Sequence, residues 1–170
     1  MSSPMISASL PDNEAQRLAT LEGLEVLDIE PQERFDGVTS LAKRLLDADY
    51  VAISLIDQSR QWFLSSCGLD VSSTSRDISF CAHTILEDAT LVVEDARKDE
   101  RFSDNLWVTE GPMLRAYMGH PIVASGNALG ALCVLYKNPQ HFSEQNKDDL
   151  RHLARVLGES IEFGLHRNAD

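Results

Sequence analysis

The chain has 170 residues, 43% hydrophobic and 25% charged, and its 15 Lys and Arg against 27 Asp and Glu leave a formal net charge of −12. This is the composition of one globular domain able to bury an apolar core without staples, and it excludes collagen-like, coiled-coil and low-complexity chains. The acidic balance repels phosphate backbones and anionic headgroups, which argues against nucleic-acid and membrane partners.

No stretch approaches the roughly 18 uninterrupted apolar residues of a membrane span. The opening MSSPMISASLPDNE lacks the basic start and apolar block of a signal peptide, so a cytoplasmic protein is expected. Residues 1–11, Ser-rich with Pro4 and Pro11, are expected to be disordered ahead of a single domain over residues 12–168. From Asp12 or Asn13 as N-cap, Ala15, Leu18, Ala19 and Leu21 mark a short amphipathic helix that Gly23 weakens and Asp28–Pro31 breaks. After Pro31, Phe35, Val38, Ala42, Leu45 and Leu46 line one face of a second helix.

Period two then takes over. Tyr50 to Asp57 alternates Val51, Ile53 and Leu55 with Ala52, Ser54 and Ile56, and a turn at Asp57–Arg60 leads to a second strand, Gln61 to Cys67. Trp62 and Phe63 therefore point to opposite sides, one into a core and one toward a pocket or a helix interface. Gly68 to Asp77 reads as a polar loop, Ser79 as the N-cap of a small helix, and Thr90 to Asp95 as a short strand. Ala96 to Pro112 is a long irregular connection, of the kind that often carries function. Leu114 to Val123 and Ala128 to Tyr136 form a hairpin about Ser125-Gly126-Asn127, with an edge or bulge expected at Pro121. A last helix starts at Ser143 with the stripe Leu150, Leu153, Ala154, Leu157, Ile161 and Leu165. Strands joined mainly by hairpins, with helices before and after, predict an α+β fold: an antiparallel sheet of five to six strands with helices packed against it.

Several motifs recur in a family-like order: Asn13-Glu14, Arg17-Leu18, Val26-Leu27-Asp28, Pro31 and Glu33-Arg34-Phe35-Asp36, then RQWF at Arg60–Phe63 and SFCAHTIL at Ser79–Leu86. They continue with Asp95, Asp99, Arg101-Phe102 and Asp104-Asn105, with Tyr117, Gly119 and Pro121, and with Leu129-Gly130 to Val134. Over roughly residues 12–165 the chain resembles GAF domains, in particular the bacterial group found beside histidine kinases and diguanylate cyclases. The resemblance implies a sensory module with a small-molecule ligand in a pocket on one sheet face, closed by the small helix and the long loop. It also implies a homodimer paired through helices on the other face, and a histidine kinase or diguanylate cyclase acting in trans as the output partner. The ligand-binding residues expected from it are the aromatics Trp62, Phe63, Phe80, Phe102 and Tyr117 with Cys81, His83, Asp95, His120 and Cys133. His120 stands where the family usually has a small residue, and Ala116 where it has an aromatic. The acidic-aromatic signature of cyclic-nucleotide binders is not evident, and Cys81-Ala82-His83 is not the adjacent Cys-His of bilin-attaching members. The cofactor is unknown.

Four alternatives are weighed beside this reading. A Cys81–His83 nucleophile is disfavoured, because positions i and i+2 of a helix point about 200° apart. Free methionine sulfoxide reductases are GAF-like and use three cysteines, but the spacing of Cys67, Cys81 and Cys133 does not resemble theirs; with an odd count and no CxxC, the three read as small buried hydrophobes. His83, Asp95, His120 and Cys67 lack a recognised metal-ligand spacing. The fourth alternative is a docking or dimerisation module whose pocket is packed shut.

Overall fold

The computed structural model describes residues 6–168, leaving aside the side chains of 165–168. Two helices, α1 (Glu14–Gly23) and α2 (Glu33–Leu45), precede the strands β1 (Tyr50–Ile56), β2 (Arg60–Cys67) and β3 (Ser73–Ser75). The short helix α3 (Phe80–Thr84), strand β4 (Leu91–Val93) and helix α4 (Leu106–Thr109) follow, then β5 (Ala116–Ala124), β6 (Asn127–Tyr136) and the long α5 (Glu144–Asn168). The six strands form one antiparallel sheet in the order β3-β2-β1-β6-β5-β4. The fold is α+β, as the sequence pattern predicts.

Alternation along the strands sorts the apolar residues into two cores. Val51, Ile53, Leu55, Trp62, Leu64, Met118, Ile122, Leu132 and Val134 face α1, α2 and α5, meeting Leu21, Phe35, Ala42, Leu150, Ala154, Leu157 and Ile161. Ala52, Ile56, Phe63, Tyr117, Ala131, Cys133 and Leu135 face the other way, toward α3 and the 96–114 segment. A register shift in β2 pairs Ser54 with Phe63 but Ile53 with Ser65. It leaves Ser65 on the helix side, where its hydroxyl meets Thr39 at 3.0 Å.

Most element ends are set by local chemistry. Ser143 Oγ accepts from Asn146 N while Asn146 Oδ1 accepts from Ser143 N, a reciprocal cap that starts α5. Leu165, the end of the expected stripe, lies outside the described side chains. Asn13 occupies the cap position of α1, but its side chain donates to Asn127 Oδ1 instead of capping. At Pro121, β4 has already ended opposite Gly119, so the proline meets no partner on that side, and a register shift follows at Ile122/Val123. Two expectations are corrected. The 68–77 loop contains β3, a polar Ser-Thr-Ser strand that pairs only at the sheet edge and so carries no apolar alternation. The 96–112 connection contains a 3-10 turn at Ala96–Lys98 and α4, both started by side-chain caps from Asp95 and Asn105.

Among the described residues, a charged cluster is largely buried. Arg17 is fully buried on α1, donating to both carboxylate oxygens of Glu14 at 3.0 Å and to the Ile56 carbonyl at 2.7 Å. Arg76, from the turn before α3, donates to the same carboxylate and to the Asp57 carbonyl. Burial alone would raise the pKa of Glu14, but hydrogen bonds from Arg17 and Arg76 more than reverse it and hold it at about 2, against 4.5 when free. The carboxylate therefore contributes stability that is complete above pH 4.5 and lost as pH falls toward 2. Glu14→Gln leaves Arg17 buried without its counter-charge and is expected to cost about 3 kcal/mol at pH 7. In urea titrations the gap between wild type and variant should close as pH falls from 4.5 to 2; a gap independent of pH would contradict the ionic origin.

Candidate functional site

The face of the sheet away from the terminal helices is roofed by α3 and α4. Ser79 Oγ accepts from Ala82 N at 3.0 Å and starts α3, presenting Phe80, Cys81 and Thr84 to the sheet. Asn105 Oδ1 accepts from Trp107 N, and Asn105 Nδ2 donates to the Ile78 carbonyl, which fastens α4 to the turn before α3. Phe80 stacks on Phe102 with ring centroids 4.1 Å apart and tilts against Tyr117 at 5.2 Å. Beneath this roof lies a chamber walled by Ala52, Phe63, Cys133 and Leu135 from the sheet, by Phe80, Cys81 and Tyr117, and by Leu69, Ile78 and Trp107 at its rim. The space open to the centre of a water-sized sphere is about 10 Å³, room for about one water.

The wall is apolar except for two hydrogen-bonded sets. In one, Thr84 Oγ1 lies 2.7 Å from Tyr117 Oη, which lies 3.2 Å from Cys81 Sγ, and Cys133 shares the same wall. In the other, Ser54 Oγ and Ser79 Oγ both donate to Gln61 Oε1 at 2.7 Å, and Gln61 Nε2 donates to Thr74. Burial pushes the Tyr117 phenol well above its usual range. The Cys133 thiol rises too, through its hydrogen bond to Cys81 and through burial. Tyr117 owes its position to Gly119, where a Cβ would stand 2.1 Å from the phenol oxygen.

Of the residues expected at the site, Phe63, Phe80, Cys81, Tyr117 and Cys133 line the chamber, and Phe102 backs its roof. The other four lie elsewhere. Trp62 points into the helix-side core, because Phe63 takes the chamber side of β2. His83 projects away from Cys81: its Nε2 sits 3.3 Å from the Ile6 carbonyl, and its ring meets Phe102 edge-on. Asp95 starts the 3-10 turn and pairs with Arg97 at 2.9 Å on the surface. His120, on the helix-facing side of β5, lies 2.9 Å from Thr90 Oγ1. Thr84, Ser54, Gln61 and Trp107 were not foreseen. The first had a signal, since Thr84 stands three residues beyond Cys81 and four beyond Phe80 on one helical face; Ser54 shares its strand side with Ala52 and Ile56.

The cysteines are divided by the sheet. Cys67 packs against the helix-side core, while Cys81 and Cys133 share the chamber. Among the described residues, no three His, Cys, Asp or Glu side chains converge as metal ligands, and no helix is long and apolar enough to cross a membrane.

The model of the GAF domain family matches residues 30–161. The chain belongs to the GAF family. A cyclic di-GMP phosphodiesterase of Pseudomonas aeruginosa is 36% identical to this GAF domain over 155 residues, which is 90% of this chain and 26% of that protein. The chain thus spans about a quarter of that relative's length. The GAF domain of a phosphoenolpyruvate-protein phosphotransferase from Coxiella burnetii superposes with a TM-score of 0.68 at 18% identity, covering 93% of this chain and 98% of that one. A free methionine-R-sulfoxide reductase from Neisseria meningitidis, solved with its substrate, gives 0.65 at 20% identity over the whole of both chains. At these identities the likeness shows a shared fold. It is the fold of a sensory and regulatory family that includes some enzymes.

Burial lowers the pKa of both His83 and His120 from 6.5; the Ile6 carbonyl and Asp99 pull His83 upward while Arg101 pushes it down, and Arg151 pushes His120 down. The folded GAF domain therefore binds fewer protons than the unfolded chain as pH drops below about 6.5, so stability falls on acidification. The melting temperature is expected to drop between pH 7.5 and pH 5, and His83→Gln should flatten that slope. An equal slope in the variant would remove His83 from the account.

Proposed function

We propose that this GAF domain is a sensory module in which a small ligand held between the sheet and the α3–α4 roof sets the conformation of a partner output domain. The observation that carries this reading is the hydrogen-bonding wall of the chamber: hydroxyl, thiol and amide groups turned into an otherwise apolar space closed by loop residues. Small-ligand sites commonly combine such an apolar lining with a few placed polar groups. A ligand biases a regulatory equilibrium only through different affinity for two states. The two states invoked here differ in the position of the roof, because a ligand larger than one water must displace Leu69, Ile78 and Trp107.

The route out of the chamber runs through the turn at Arg76, which is hydrogen-bonded to Glu14 on α1. Exposed apolar residues on the helical side, Leu41, Leu45, Val156 and Phe163, suit a two-fold homodimer, the commonest oligomer symmetry. The output enzyme is inferred from the company of relatives: a cyclic di-GMP phosphodiesterase, or a histidine kinase or diguanylate cyclase, in the same polypeptide or in trans. The tightness of the chamber favours a second reading, a docking module with a packed pocket. Placement of Cys67 on the far side of the sheet weighs against a three-thiol sulfoxide reductase.

Native mass spectrometry of the purified protein, followed by thermal-shift measurements with whatever is retained, tests the sensory reading. A ligand at about 100 times its dissociation constant stabilises the folded state by about 2.7 kcal/mol, which raises the melting temperature by about 5–10 °C at this size. Ala52→Leu places three extra carbons in the chamber and should abolish that rise while circular dichroism shows the fold intact. An equal rise in the variant, or no retained ligand with unchanged self-association, would support docking instead.

A further inference from the structure

The donors of the chamber wall end on one sulfur. Thr84 Oγ1 has two acceptors in reach, Tyr117 Oη at 2.7 Å and the Phe80 carbonyl at 3.4 Å. The shorter contact takes its proton, which frees the phenol proton for Cys81 Sγ at 3.2 Å. Cys133 lines the same space from β6, where it pairs with Ala52 on β1. Burial alone would raise the Cys81 thiol, but hydrogen bonds from neighbouring side chains, Tyr117 among them, pull it below its usual value. A sulfur that accepts several hydrogen bonds is favoured as thiolate, and the thiolate is the nucleophile. The space beside it has room for about one water, which suits a molecule of two oxygen atoms far better than an organic sulfoxide or a metabolite.

We propose that Cys81 and Cys133 form a peroxide-responsive thiol pair, in which hydrogen peroxide entering the chamber oxidises Cys81 and Cys133 closes a disulfide across it. This rests on the reading of the chamber as the regulatory site and names the chemistry that acts there. In the first step the Cys81 thiolate attacks one peroxide oxygen. An S–O bond forms, the O–O bond breaks, and the departing hydroxide takes up the proton that the thiol gave up, leaving as water. In the second, Cys133 attacks the Cys81 sulfur: the S–S bond forms, the S–O bond breaks, and the hydroxyl leaves with the Cys133 proton as a second water. Two electrons pass from the two thiols to the peroxide, and a dithiol reductant restores the starting state.

The pair sits where oxidation has a mechanical consequence. Cys133 is fixed at the centre of the sheet, paired with Ala52 on β1 and Gly119 on β5. Cys81 belongs to α3, whose cap Ser79 adjoins the turn that carries Arg76. A bond between the two sulfurs draws α3 onto β6 and moves the turn hydrogen-bonded to Glu14. Cys67, on the opposite face of the sheet, has no part in it and serves as an internal control.

The test is thiol mapping of the full chain. Fully reduced protein is treated with a graded excess of hydrogen peroxide, blocked with iodoacetamide, digested and analysed by mass spectrometry. The expected product is a Cys81–Cys133 cross-linked peptide pair, two hydrogens lighter than the thiols and reversed by dithiothreitol, while Cys67 stays alkylated. In Cys133→Ser a sulfenic acid should be trapped on Cys81 by dimedone, and Tyr117→Phe should slow disulfide formation about tenfold. Oxidation of Cys67 ahead of Cys81, or unreacted Cys81 at peroxide levels that oxidise free cysteine, would overturn the proposal. The mapping uses wild-type protein, so it stands even if a variant fails to fold. Ligand retention by the reduced wild type, read by native mass spectrometry in the same preparation, separates the outcomes. A retained ligand with inert thiols removes only the peroxide chemistry, whereas a disulfide that leaves the α3 and α1 amides unchanged in hydrogen exchange removes the regulatory role.

Discussion

Everything in this molecule depends on a sheet buried on both faces by alternation along β1, β2, β5 and β6, interrupted at the register shifts in β2 and β5. One set of residues is large and branched and takes the terminal helices. The other mixes small, polar and aromatic groups, Ala52, Ser54, Gln61, Tyr117, Ala131 and Cys133, and cannot close on itself. Large aliphatic side chains at those positions would fill the face; small ones leave a concavity that α3 and α4 roof over. The close approach of β1 to β6 is part of the same constraint, since a Cβ at Gly130 would lie 1.8 Å from the Ser54 carbonyl oxygen. A chamber is therefore a consequence of strand composition, before any ligand is considered.

The second feature that gives the fold its character is the charged junction of Arg17, Glu14 and Arg76. Ion pairs of this kind contribute modestly to net stability but are costly to break. Here the pair joins α1, on one face of the sheet, to the turn that opens α3 on the other, passing round the end of β1 at Ile56 and Asp57. An apolar contact could hold α1 in place. The directional hydrogen bonds of two guanidiniums also fix its position relative to the roof, which suits a connection that has to transmit displacement.

The parts of this fold that were legible in the sequence are those with strong periodicity. The stripes of α2 and α5 and the alternation of β1 and β6 rest on many residues each, so local pattern and tertiary packing agree. What escaped is short and polar. The strand β3 gains its pairing from β2 alone, and α4 has a single turn held by Asn105, so neither leaves a periodic trace. The site was half legible for a related reason. Period two put Trp62 and Phe63 on opposite faces without saying which was which, and motif order alone could not separate Asp95 and His120, which serve a turn and the sheet margin, from Phe80 and Tyr117, which form the wall. The groups gathered around Cys81 come from α3, β5 and β6, and no local window of sequence contains such a convergence.

If the chamber and helix α1 move as one unit, joined through Arg76 and Glu14, a wedge in the chamber is felt along α1. Amide hydrogen exchange across the whole chain, comparing wild type with Ala52→Leu, tests it most directly, because the wedge acts inside the chamber and touches neither Arg76 nor α1. Protection should change in residues 76–84 together with α1, with α2 unchanged; a change confined to the roof, with α1 protection identical in both proteins, would show that the two are not coupled.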